Sequence, residues 1–146
     1  MDTLINILLI AIATIIFAQD FKTKRLSLGI IISFYLTAAI WFSLNLNSMQ
    51  NIITNSLIIG IIAIIVYGYF IIFRKINPIN RHIGLGDIIL LPAFVFFFNP
   101  TYFLIFIISS CISAIIGSFI INDKEIPFAG YLSITFIFIF IFVSYF

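Results

Sequence analysis

The sequence predicts an all-α membrane protein: a bundle of six transmembrane helices with both termini outside. Three observations carry that expectation. The first is composition. Of the 146 residues, 64% are apolar and 8% charged, with a mean hydropathy of +1.32, whereas soluble domains run at about 45–50% apolar and about 25% charged. One small domain cannot hide so much apolar surface from water, which excludes a soluble globular enzyme, a disordered chain and a coiled coil. The second is the placement of the charges, which cuts the chain into uncharged stretches of crossing length. The third is the sidedness of the basic residues that this division produces.

Between Asp2 and Asp20 the chain is uncharged and dominated by Leu, Ile and Ala. That length just meets the roughly 17–25 residues of a crossing. Leu26 to Leu46 gives a second span, and Ile52 to Phe73 a third that ends at Arg74-Lys75. Ile88 to Ile121 carries no charge. At about 1.5 Å per residue it is too long for one crossing and just enough for two. Asn99-Pro100 is the break, because the residue before a proline avoids the helical region. The fourth span then runs from near Gly84 to near Phe98, which is short, and the fifth from about Thr101 to Ile121. The last runs from Phe128 to Phe146. Residues 1–146 read as one domain with no linker and no internal repeat.

Six spans leave three connections on one side, and these hold Lys22, Lys24, Arg25, Arg74, Lys75, Arg81 and Lys124, which are all seven basic residues. The positive-inside rule puts those connections in the cytoplasm. A cleaved signal peptide does not fit the start, where Asp2 precedes the apolar run and the basic cluster follows it. One cysteine, Cys111, in an apolar run gives neither a disulfide framework nor a zinc site; it reads as inert packing.

Acids at a membrane each need an account. Asp2 is a solvated end. Asp123 and Glu125 flank Lys124 in a short turn, where a solvated ion pair is the plain reading. Asp20 and Asp87 differ, because the topology puts both at the cytoplasmic edge from helices distant in sequence. Two close carboxylates in a poorly solvated site share one proton. The ionised member takes a proton from water, the protonated member donates to a peptide carbonyl, and the roles reverse as the amine leaves. That is the chemistry of aspartic proteolysis, and it needs no metal and no cofactor. Beside Asp87, Gly84 and Gly86 let the backbone bend or approach a partner. The tetrapeptide reads equally well as a glycine-rich helix start with a capping Asp, and it gains weight only from its context.

In that context the chain resembles the type IV prepilin peptidases, including the preflagellin peptidase branch. Three segments carry the resemblance: Asp20-Phe21-Lys22-Thr23-Lys24-Arg25-Leu26, similar to the family's acid and basic loop after its first helix; Gly84-Leu85-Gly86-Asp87, similar to its GxGD; and Ile126-Pro127-Phe128-Ala129-Gly130, similar to the stretch opening its last helix. The chain departs from the family pattern at Leu26-Ser27, where Ile-Pro is usual, and at Ile89, where Lys is common. The resemblance implies a short, peptidase-only form without N-methyltransferase activity. It implies Asp20 and Asp87 as catalytic residues and a prepilin-like or archaellin-like precursor with a short basic leader as substrate. It places the enzyme in the cytoplasmic membrane, with no nucleic-acid partner. Lys22, Lys24 and Arg25 then hold substrate or orient Asp20, or simply contact anionic lipid. Asp123 and Glu125 attract the basic leader.

Two other classes compete. Paired membrane acids can serve a small proton- or cation-coupled transporter, and a pilus-assembly subunit could keep the fold without catalysis. Of the remaining residues, His82 sits beside the GxGD at headgroup level. Pro92 either kinks the fourth helix and frees a carbonyl near the site or is a tolerated packing feature. Trp41 and Tyr102 fit an outer interfacial belt.

Overall fold

Six α-helices and no strands make up the described residues of a computed structural model, which are 2–45, 48–75, 84–121 and 126–145. They are α1 (Asp2–Thr23), α2 (Leu28–Asn45), α3 (Met49–Tyr69), α4 (Leu85–Leu90), α5 (Pro100–Ile121) and α6 (Phe128–Tyr145). A π-helical turn, Phe70–Arg74, prolongs α3, and a 3₁₀ segment, Leu91–Phe96, prolongs α4. Four stretches are long and apolar enough to cross a membrane: Thr3–Thr23, Leu28–Asn45, Met49–Phe73 and Pro100–Ile120. Leu85–Phe96 and Phe128–Ser144 are apolar but shorter.

The first helix runs farther than the charge pattern places it, ending at Thr23 with Asp20 inside its last turn. Local bonds explain the extension. The Thr23 hydroxyl reaches the carbonyls of Gln19 and Arg25, at 2.9 and 3.0 Å. Lys24 then closes the helix in the left-handed region, φ 52°, and its amide donates to the Asp20 carbonyl at 2.9 Å. This is the C-terminal conformation usually given to glycine.

Pro92 marks a change of helix type in α4. It has no amide to donate, and from Leu91 onward the helix tightens to 3₁₀ geometry. The Ile89 carbonyl takes the Tyr35 hydroxyl of α2 instead, at 2.6 Å. Farther on, the buried Asn55 amide of α3 donates to the carbonyls of Val95 and Phe98, at 3.1 and 2.8 Å. These carbonyls lie where α4 has run out of helical partners. A run of about 1.5 Å per residue for six residues and about 2.0 Å for six more gives α4 a length of about 21 Å, short of a hydrocarbon core of about 30 Å. The Asn55 side chain satisfies part of its end.

The core is aromatic. Phe136 of α6 sits among Phe34, Phe94, Phe97 and Phe140, with ring centroids 4.9–5.8 Å apart. Such pairs add specific geometry where lipid removes most of the hydrophobic driving force between helices. α1 packs on α2 and α6, α5 packs on α6, and α3 leans on the 3₁₀ segment and α5. α3 is peripheral, and Asn55 is its one buried residue. Cys111 corrects an expectation. It is exposed, because the inward stripe of α5 runs through Phe103, Phe106, Ser110, Ala114 and Gly117, and position 111 falls beside that stripe.

Asn55→Leu is expected to destabilise the protein by between about 1 and 3 kcal/mol. Two interhelical bonds at about 0.6 kcal/mol each set the lower figure, and the two stranded carbonyls raise it. Thermal unfolding in detergent measures this, and an unchanged Tm would refute it.

Candidate active site

The site lies where three helix ends meet. Asp20 comes from the last turn of α1, Asp87 is the third residue of α4, and the first turn of α6 lies between them. The opening amides of a helix have no partner within it, and in α6 these three, on Phe128, Ala129 and Gly130, all find acceptors. The Phe128 amide donates to the Ile126 carbonyl at 2.8 Å, and the Tyr131 amide to the Pro127 carbonyl at 3.2 Å. The Ala129 amide donates to Asp87 Oδ1 at 2.9 Å, and the Gly130 amide to Asp20 Oδ2 at 2.7 Å. Two acids 67 residues apart in sequence are thus held by consecutive residues, whose Cα atoms are about 3.8 Å apart. The positive end of the α6 dipole faces both carboxylates.

Asp87 does a second job. Gly84 is the N-cap of α4, and its amide also bonds the Asp87 carboxylate. The side chain reaching back from the third helical position to the N-cap amide is half of a capping box. The capping and the pairing readings of Asp87 therefore both describe the geometry, one for each part of the carboxylate. The two acids also bear on each other electrostatically. Asp20 is buried, while Asp87 is half-buried and opens toward exposed Gly84, Leu85 and Ile88.

The glycines are spatial requirements. A Cβ on Gly84 would lie 3.0 Å from Asp87 Oδ2. On Gly86 it would lie 3.3 Å from Leu26 Cδ1, so Gly86 lets α4 close on the α1–α2 connection. On Gly130 it would lie 2.7 Å from Phe21 Cδ2 and Cε2. Phe21 in turn lies between Phe17 and Tyr131, tilted against the first and edge-on to the second, with ring centroids at 4.6 and 5.2 Å.

Of the basic cluster, Lys22 and Arg25 are exposed, and Lys24 is the residue whose charge acts on Asp20. Asp123, Glu125 and His82 lie outside the described residues. Among the described residues no group of three His, Cys, Asp or Glu is placed to hold a metal. Trp41 and Tyr102 line a cavity of about 380 Å³ with Asn6, Asn45 and Asn99, where Trp41 Nε1 donates to Asn6 Oδ1 at 3.0 Å. Asn6 and Asp20 stand 14 residues apart on α1, about 21 Å at the helical rise, so this cavity is remote from the acids.

Sequence reasoning singled out the segment 126–130 but gave its amides no role. It did not single out Asn55 or Tyr35. A polar residue inside the apolar run 52–73 was the visible signal for Asn55. Nothing in the sequence linked the hydroxyl of Tyr35 to a carbonyl 54 residues away.

No curated protein and no solved structure matches the chain. The sequence pattern of the type IV leader peptidase family matches residues 7–119, more than three quarters of its length, and takes in both acids but stops before the first turn of α6. On that match the chain belongs to the type IV leader peptidase family.

Proposed function

We propose that the protein is a membrane aspartic endopeptidase that removes the short basic leader of type IV prepilin-like or archaellin-like precursors at the cytoplasmic face. One observation carries this reading: carboxylates from two distant helices are seated on consecutive amides of a third. Carboxylates this close share a proton. The ionised member takes a proton from a water, which attacks the scissile carbonyl while the protonated member donates to its oxygen. The resulting diol collapses as the proton passes to the leaving amine. Acid and base are properties of the coupled pair rather than of either residue.

In this reading Asp20 and Asp87 are catalytic, and the substrate lies along the open side of Asp87, where Gly84 and Gly86 keep side chains away. Lys22 and Arg25 contact substrate or headgroups, and Asp123 and Glu125 attract the basic leader. The chain crosses the cytoplasmic membrane six times as one domain over 1–146, with termini outside and basic connections inside.

Coexpression with a panel of precursors carrying short basic leaders tests this. The expected result is a size shift equal to loss of the leader. Intact precursors across the panel, together with proton uptake by proteoliposomes holding the protein, would favour the carrier reading instead.

A further inference from the structure

We propose that Pro127 is a positioning residue for the acid pair, and that it acts by having no hydrogen-bond acceptor in its side chain. Pro127 is the N-cap of α6, because its carbonyl accepts the first intrahelical bond, from Tyr131. At most helix starts the N-cap is Ser, Thr, Asp or Asn, whose side-chain oxygen accepts from the second or third amide of the helix. In α6 those amides belong to Ala129 and Gly130. Neither Pro127 nor its neighbours Ile126 and Phe128 carries an acceptor that could take them. Pro127, Ala129 and Gly130 are all buried, so water is no ready substitute. The amides are left to acceptors from elsewhere in the fold, and these are the Asp87 and Asp20 carboxylates. A helix that capped itself would satisfy the same amides locally and release one or both acids from their shared seat. The consequence for cleavage rests on the peptidase reading; the capping exchange does not.

The test compares Pro127→Ser, which supplies an acceptor, with Pro127→Ala, which does not. Pro127→Ser is expected to fold at least as well as Pro127→Ala by Tm. It is nevertheless expected to cleave precursor about tenfold more slowly, while Pro127→Ala stays within about threefold of the parent. A merely structural role would rank the two the other way, since the better cap would give the better enzyme. A second arm needs no activity: Asp87→Ala is made in the parent and in Pro127→Ser. Its Tm loss is expected to shrink in the serine background, where the Ala129 or Gly130 amide has its own cap. If the parent cleaves no precursor, the peptidase reading fails, and this second arm still decides the role of Pro127. Equal cleavage by the two variants, or an equal Tm loss in both backgrounds, overturns the proposal. So does failure of both Pro127→Ser and Pro127→Asn to fold where Pro127→Ala folds.

Discussion

Asparagine at either Asp20 or Asp87 is expected to lower precursor cleavage by at least about 10³-fold and to leave the protein folded, since positioned acid and base groups contribute about 10²–10⁴-fold each. The amide oxygen of asparagine can still accept from Gly130 or Ala129, so the seat on α6 survives. What disappears is the proton that must move twice per cleavage. Stability is pulled both ways. A neutral acceptor bonds more weakly than a carboxylate, but the repulsion between the two acids is relieved. The net change is expected to stay within about 1 kcal/mol. The double variant should be no slower than either single one, because the pair acts as a unit. Cleavage rates beside thermal unfolding in detergent separate the outcomes. Survival of activity in either single variant removes that acid from the mechanism.

Gly130→Ala is expected to cost at least about tenfold in cleavage and about 1–3 kcal/mol in stability, the range for an over-packed site. The added Cβ would lie 2.7 Å from two carbons of the Phe21 ring and 3.4 Å from Asp20 Oδ2. Something must shift, and the ring is held between Phe17 and Tyr131. Phe21 adjoins Asp20 in the same helical turn, so movement of either α1 or α6 stretches the 2.7 Å bond between Gly130 and Asp20. Phe21→Leu removes the colliding Cε2 and replaces the rigid ring edge by a branched chain that can rotate away from the new Cβ. The double variant, Phe21→Leu with Gly130→Ala, is therefore expected to recover most of the cleavage that Gly130→Ala loses. If Phe21→Leu fails to rescue, the contact is not what makes glycine necessary there.

The sequence by itself determined the solvent and the helices. Twelve charged residues among 146 leave no soluble alternative, and uncharged runs bounded by charges or by Asn99-Pro100 mark helical segments to within a few residues. It also brought Asp20 and Asp87 to notice, because ionisable groups beside apolar runs are costly enough to demand a reason. These features are local, so they are legible in one dimension. The tertiary structure decided what depends on contacts between remote segments. It carried α1 past Asp20 to Thr23, through bonds made by Thr23 and Lys24. It turned Cys111 outward by the phase of α5. It gave Tyr35 and Asn55 the task of satisfying carbonyls that Pro92 and the short α4 leave over. Above all it supplied the partner of the acids. A backbone amide has no residue type and therefore leaves no mark in a sequence motif. That Ala129 and Gly130 hold the two carboxylates follows only from α6 starting between α1 and α4 with a proline as its cap.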